Sequence, residues 1–523
     1  MFPDQALRWP RGCWPDQTQT LLLRACLLED DASCLRAWEE WRRLAPLDFV
    51  DGSSLKLLVV LHGRLSRISR SLPDMRRLTG IARYYWVRTQ ISHRVTVGLL
   101  HAMGRAGLDT MLLKGAALNA TVYGGRGRAM SDIDLAVRRS DIDASLQLLE
   151  GHGWRPRFRR HQAMRHVSHA THLVNGNGHD LDLHWDVFHD RFLADEQMEA
   201  IWEASRVIEV GELATRILCP ADQLLHICAH GARYDAAPPF RWLADAYLVV
   251  RTLGADLDWA RCARLARQHG LVLPVRQTLS YLERHLDLEL PGDAALLERE
   301  RVSLSGCFAQ RLAARRPFGV HPFVQTLPAN VLAYARLRRR RRGIGLGKFL
   351  CLVNDLEMSP AAALGYFARL SVVAAVMRWN NALRAAMKRM KGRQLHVMTM
   401  ASAGPDELEG AYPAECHRAL AYRWTYPRTT IRVPLQPADY AVELNLVPAR
   451  AWRWESLKVV LNRSVVTCGE AGAGAIRFQL SKDMFVDHRE QRLVLQCEPW
   501  DAARDDPRHL GLPLVDARFL KSA

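Results

Sequence analysis

From the N-terminus to about residue 110, apolar residues recur at three- and four-residue spacing, as in LLLRACLLEDDASCLRAWEEWRRL and ISHRVTVGLLHAMGRAG. That is the period of helices burying one face. The period then changes: TMLLKG predicts a short buried strand, AALNATVY a helix, GGRGRAMS a Gly-rich turn and DIDLAV a strand of alternating polarity. SDIDASLQLLEGHGW restarts a helix, with Ser140 the expected N-cap and Asp141 and Asp143 in its first turn. THLVNGNGHDLDLHWDV predicts a hairpin turning on Asn175-Gly176-Asn177-Gly178. From CPADQLLHICAHGARY to about residue 315 the pattern is helical again, so one mixed sheet is framed by helices on both sides in sequence. After His396, short alternating segments (TTIRVPL, YAVELNLVP, SLKVVLN, AIRFQLS, RLVLQCEP) predict an antiparallel β-sandwich. The expected class is α+β. Its divisions are a helical region at 1–105, a sheet core at 106–210, a second helical region at 211–333, a basic segment at 334–394 and the sandwich at 395–523.

Composition narrows the class. The 523 residues are 49% hydrophobic and 24% charged, values of an ordinary globular chain. Eleven cysteines without a CxxC pair suggest neither a disulfide framework nor a zinc ribbon. With no signal-like N-terminus, the expectation is a cytoplasmic protein. The net charge of +17 is concentrated: Tyr334 to Arg393 holds fourteen Lys and Arg against Asp355 and Glu357, an excess of +12. The basic character therefore belongs mainly to one segment.

The chemistry-bearing stretch is MLLKGAALNATVYGGRGRAMSDIDLAV, Met111 to Val137. On a strand, residues i and i+2 share a face, so Asp132 and Asp134 project together. Two such carboxylates repel unless a cation lies between them, and hard Mg²⁺ suits carboxylate oxygens and substrate phosphates. A third carboxylate is available in HDLDLHW, where Asp182 is mid-strand and Asp180 is expected to point away. Upstream, Lys114-Gly115 ends a strand and opens a helix, a place where free backbone N–H groups and a lysine can receive a triphosphate. Arg128 precedes the carboxylates and has the geometry for phosphate oxygens; Arg126 reads as a solvated loop residue. His184 lies two residues beyond Asp182 on the same strand face, placed to orient a carboxylate or assist proton transfer.

The order LLKGAALNATVYGG, R-x-M-S-DIDLAV, GHGW and DLDLHW, continued by CPADQLLHICAHGARYDAAPPFRWLADAYLVV, resembles the uncharacterised nucleotidyltransferase branch of the DNA polymerase β-like superfamily over roughly residues 15 to 315. The resemblance implies a minimal nucleotidyltransferase sheet with Asp132, Asp134 and Asp182 as catalytic, metal-binding residues for Mg²⁺ or Mn²⁺. It also implies nucleotide contacts at Lys114, Gly115 and Arg128, and transfer of a nucleoside monophosphate from an NTP to a hydroxyl acceptor. The chain departs from that pattern at Ala116, where the superfamily usually has Ser or Gly. That departure favours the alternative reading, a non-catalytic nucleotide- or glycan-binding scaffold of a polysaccharide-assembly system.

His226 and His230 have helical metal-pair spacing but no HExxH glutamate, and are read as helix-packing residues near the substrate cleft, as is Asp245. GIGLGK lacks P-loop spacing and is read as a hinge. The basic segment reads as a solvated linker or, with the apolar window Ala361 to Trp379 and AAMKRMKGR, as a peripheral contact with acidic membrane; sparse aromatics disfavour nucleic acid. AECHRALAYRWTYPRTTIRVPL and DDPRHLGLPL resemble β-sandwich modules of bacterial polysaccharide-assembly proteins, which implies glycan or assembly-protein partners and a surface-polysaccharide role. There Trp424, Trp452 and Trp454 are sugar-stacking or core residues.

Overall fold

The computed structural model describes residues 13–45, Leu47, Val50, 52–124, 127–157, 167–188, 193–233 and 240–302, shorter stretches between 306 and 366, and most of 395–521. Arg126, Trp452, Trp454 and most of the basic segment lie outside the described residues. No described helix is long and apolar enough to cross a membrane.

The N-terminal helices are α1 (Gln17–Leu27), α2 (Asp31–Leu44), α3 (Leu58–Ile68) and α4 (Met75–Arg105). Helix α1 starts in a reciprocal capping box: Gln19 N–H donates to Asp16 Oδ1 at 2.8 Å, and Asp16 N–H to Gln19 Oε1 at 2.9 Å. Helix α4 buries a stripe that includes Leu78, Ala82, Thr89, Thr96, Leu100 and Met103 and leaves the rest of its surface wet, as its amphipathic pattern predicts.

The sheet is mixed and seven-stranded, in the order β3-β4-β5-β2-β1-β7-β6. Its strands are β1 (Thr110–Leu112), β2 (Ile133–Val137), β3 (Trp154–Pro156), β4 (Ala170–Asn175), β5 (Asp180–His184), β6 (Arg206–Val210) and β7 (Leu213–Ile217). The helices among them are α5 (Lys114–Thr121), α6 (Ile142–Gly151) and α7 (Asp195–Ala204). Strand β2 is buried throughout, and its alternation divides it between two cores. Ile133, Leu135 and Val137 pack with Leu99, Met103 and Ala117 from α4 and α5. Ala136 on the opposite face joins Met111 and Leu113 in a larger core. That core is completed by α1 to α3 and by α8 (Pro220–Gly231), α9 (Arg241–Leu253), α10 (Trp259–His269) and α11 (Val272–Leu286). Helices α1 to α3 and α8 to α11 thus form one layer over the polar face of the sheet, and the C-terminal half of α4 packs on the other face.

The β4–β5 hairpin turns where expected: Gly178 has φ +74° and Asn175 Oδ1 accepts from the N–H groups of Asn177 and His179. One local expectation fails. The residue ahead of α6 is Asp141, with no side-chain cap, and Ser140 Oγ instead donates to Asp141 Oδ1 at 2.8 Å. A 3₁₀ turn at Arg139–Asp141 leads into the helix and displaces the cap position by one residue.

The C-terminal strands are β8 (Leu395–Thr399), β9 (Leu408–His417), β10 (Leu420–Val433), β11 (Tyr440–Leu446), β12 (Lys458–Leu461), β13 (Ser464–Val466), β14 (Cys468–Gly472), β15 (Ala475–Leu480), β16 (Gln491–Gln496) and β17 (Pro513–Lys521). They are antiparallel around a core that includes Ile431, Leu444, Ile476, Leu493 and Phe519. All ten are linked by hydrogen bonds into a single, nearly closed sheet, a more continuous arrangement than two separate layers. Trp424 is buried, at 8% exposure, as a core residue would be.

Candidate functional site

Strand register assembles the polar face. Asp134 on β2 pairs with Asp182 on the parallel neighbour β5, and Asp182 pairs with His172 on the antiparallel neighbour β4. On the other side of β2, Leu113 N–H donates to Asp134 O at 3.1 Å, which sets the Lys114-Gly115 turn against the carboxylates. Three residues from three strands and one turn therefore meet in a row across the sheet.

Asp134 is the centre of the row and only 2% exposed. Lys114 Nζ lies 2.6 Å from its Oδ1, and His184 Nε2 lies 3.0 Å from the same atom. Burial would raise the Asp134 carboxyl pKa, but the charge on Lys114 and the hydrogen bond from His184 outweigh it and hold the group well below the usual carboxylate range. Lys114 reaches this position because its φ is +42°, a left-handed backbone that lysine rarely adopts. His184 pairs across the ladder with Ala136, and its ring bonds Asp134, two positions back on that neighbouring strand.

Asp182 is held by His172, whose Nδ1 lies 2.8 Å from Asp182 Oδ1 while its Nε2 lies 3.0 Å from Asp180 Oδ1. The bond to Asp182 raises the imidazole pKa, since two carboxylates favour a ring protonated on both nitrogens. Asp180 thus does not point away: residues i and i+2 share a face, and its carboxylate shares His172 with Asp182. His172 was missed in the sequence, although the Asn-Gly turn fixes a register that places position 172 opposite 182.

Asp134, Asp182 and His184 each offer a ligand atom within 4.8 Å of the others. His184 Nδ1 is also buried without a hydrogen-bond partner. Two carboxylates and an imidazole are a donor set that suits a divalent cation. Asp132 stands outside this group. It precedes β2 in a bend, half-buried, and its Oδ1 accepts from Ser131 Oγ at 3.1 Å.

Arg128 and the turn at Gly115 are braced from the helical layer. Arg128, 8% exposed, makes a two-pronged pair with Asp245 of α9, both contacts at 2.9 Å, and Tyr123 Oη donates to the same carboxylate at 2.8 Å. Asn119 of α5 clamps the Arg128 backbone from both sides, at 2.8 and 3.1 Å. The remaining guanidinium nitrogen, NH1, lies against Gly115, where a Cβ would approach it to 2.6 Å. The glycine is required by this close approach rather than by its own dihedral. His226 and His230 on α8 are close enough to feel Lys114. Burial, followed by that charge, pushes His226 down to about 3 and His230 well below its ordinary value, so both are neutral packing groups over the site.

A family model described as "Uncharacterised nucleotidyltransferase" matches residues 53–287, which includes all of these elements. No curated protein matches the chain in a sequence search. Among solved structures, the chain is similar to the antibiotic-resistance factor ANT(2'')-Ia at 18% identity and a TM-score of 0.27, over 38% of this chain and 97% of that one. It is also similar to an antigenic nucleotidyltransferase-like protein from Paracoccidioides brasiliensis at 13% identity and a TM-score of 0.25, over 41% and 94%. Residues 53–287, which carry the sheet and the site, are thus the part of this chain that is similar to the uncharacterised nucleotidyltransferase family.

Proposed function

We propose that residues 53–287 transfer a nucleoside monophosphate from an NTP to a hydroxyl acceptor, with Mg²⁺ or Mn²⁺ held by Asp132, Asp134 and Asp182. The observation that carries this reading is the in-register pairing of Asp134 with Asp182 on parallel strands, with the Lys114-Gly115 turn on the strand beside them. A divalent cation bound there would polarise the α-phosphate and offset charge on the leaving pyrophosphate. Gly115 lets Arg128 NH1 lie against the first turn of α5, so that the guanidinium and the backbone N–H groups of that turn would receive phosphate oxygens together. Lys114 has three donors and holds Asp134 with one, leaving others for phosphate, while Arg128 NH1 faces the same turn. His184 orients Asp134, and His172 orients Asp182.

In this reading the protein is cytoplasmic, with 334–393 in peripheral contact with acidic membrane, as its charge excess of +12 favours. A surface-polysaccharide acceptor is supported only by the sequence likeness of the C-terminal strands. The second reading, a non-catalytic nucleotide- or glycan-binding scaffold, is favoured by the lysine already seated on Asp134.

Pyrophosphate release with each NTP, Mg²⁺ or Mn²⁺ and a panel of hydroxyl acceptors tests the reading. Asp134→Asn is expected to lower turnover about a thousandfold, equivalent to the several kcal/mol a metal contributes to phosphoryl transfer. NTP binding with no turnover across the acceptors supports the scaffold instead.

A further inference from the structure

Among the described residues nine large apolar side chains are exposed, and four of them, Tyr84, Trp86, Val87 and Ile91, lie within eight positions of α4. Such crowding marks a contact surface, because apolar residues scattered singly over a protein need no explanation. Tyr84, Val87 and Ile91 follow one another at three- and four-residue spacing, so they form one stripe along the helix, 56%, 43% and 46% exposed. The opposite side of α4 buries Leu78, Ala82, Thr89 and Thr96, which leaves the stripe facing outward.

The charge beside the stripe has one sign. From Met75 to Arg105 the helix carries six arginines and no Asp or Glu. By the helical period Arg76, Arg83 and Arg94 run along one side of the stripe and Arg88 stands on the other, all four exposed. Arg77 approaches Asp74 at 3.8 Å, but Arg76, Arg83, Arg88 and Arg94 have no carboxylate partner among the described residues. Arg88 instead donates to Tyr84 Oη at 3.0 Å and lies 5.8 Å from the centre of that ring.

These features discriminate between occupants. A second copy of the helix would set arginines against arginines across an isologous contact, and like-charge repulsion opposes it. A single nucleic-acid strand would engage the arginines and stack on Tyr84, but it leaves Val87 and Ile91 without a partner. An anionic bilayer uses both kinds of side chain: arginines meet the headgroup phosphates, Tyr84 lies at headgroup level, and the two aliphatic side chains enter the acyl boundary.

We propose that the outer face of α4 is a docking surface for an anionic lipid bilayer, carried by the folded body of the protein and distinct from the basic segment at 334–393. The helix lies along the bilayer and does not cross it, since its other face is packed in the protein and it is not apolar enough to span. This surface does not depend on the transfer reaction.

Co-sedimentation of the full chain with vesicles of mixed phosphatidylglycerol and phosphatidylcholine, beside vesicles of phosphatidylcholine alone, tests the surface. Binding is expected on the anionic vesicles and should weaken as salt is added. The pair Arg88→Gln and Arg94→Gln is expected to lower partitioning about tenfold or more, at a headgroup attraction of about fivefold per arginine. Val87→Ser with Ile91→Ser is expected to lower it about fivefold, through the apolar area no longer buried. All four positions are exposed, so an unchanged urea midpoint identifies folded variants, and the basic segment is intact in each. Weakening by both pairs supports the bilayer contact. Failure of the unmodified chain to bind anionic vesicles, or an effect of one pair alone or of neither, overturns it. Oligonucleotide binding that only the arginine pair abolishes assigns the surface to nucleic acid instead, and dimerisation that the Val87 and Ile91 pair abolishes assigns it to a second copy.

Discussion

A methyl group added at Gly115 would approach Arg128 NH1 to 2.6 Å and Met130 Cγ to 3.2 Å. The arginine cannot swing aside without breaking its fork to Asp245, so Gly115→Ala is expected to cost about 1–3 kcal/mol in urea unfolding. Removing the acid is worse: Asp245→Ala leaves Arg128 buried without its counter-charge and is expected to cost about 3–5 kcal/mol by the same measurement. Because both act on one guanidinium, their effects in the double variant should fall short of the sum. At this scale the sequence was informative about residue types and less so about their partners. The alternation of DIDLAV and HDLDLHW was enough to place Asp134 and Asp182 on a polar strand face. The union of Lys114 with Asp134 depends on a positive φ that no pattern of residue types reveals.

Among the elements, α8 and α9 meet in close contact at Gly231 and Trp242. A Cβ at Gly231 would lie 2.1 Å from the Trp242 ring, whose other neighbours include Trp14 at a centroid distance of 5.2 Å. Gly231→Ala is therefore expected to separate these helices, lowering stability by about 1–3 kcal/mol in chemical denaturation and increasing hydrogen exchange in α8 and α9. Helices and strands were largely legible because a period of 3.6 or 2 is written into each segment. The β4–β5 hairpin was legible to its turn residues, since Asn-Gly sequences favour the left-handed backbone found at Gly178. The capping of α6 was not, because a 3₁₀ turn and an α-helical turn begin with the same residue types. Asp180 was misplaced in a different way: the strand period already required it to share a face with Asp182, and His172 joins the two.

Across the whole molecule, Asp16 ties the first helix to the C-terminal sheet, accepting from Arg432 on β10 and from Arg492 on β16, the latter at 2.8 Å. Burial opposes its ionisation, but Arg432, Arg492 and the Gln19 N–H prevail and lower its pKa to about 2. The folded pKa lies below the ordinary 3.8, so the stability from this contact is present above about pH 4 and lost as pH falls toward 2. Limited proteolysis is expected to show looser association of 13–45 with the sheet across that window, and Asp16→Asn should remove the pH dependence. High salt should weaken the contact, since the Asp16 side chain is 24% exposed. By itself the sequence determined the class of each segment, the polar strand faces and the carboxylates they carry, because these follow from local periodicity and residue chemistry. Tertiary structure alone decided that His172 joins Asp180 to Asp182, that Lys56 reaches the serine beside Asp132, and that Arg128 is braced by Asp245. The physical reason is that such contacts join residues up to 117 positions apart, through strand register and helix packing that short-range patterns do not encode.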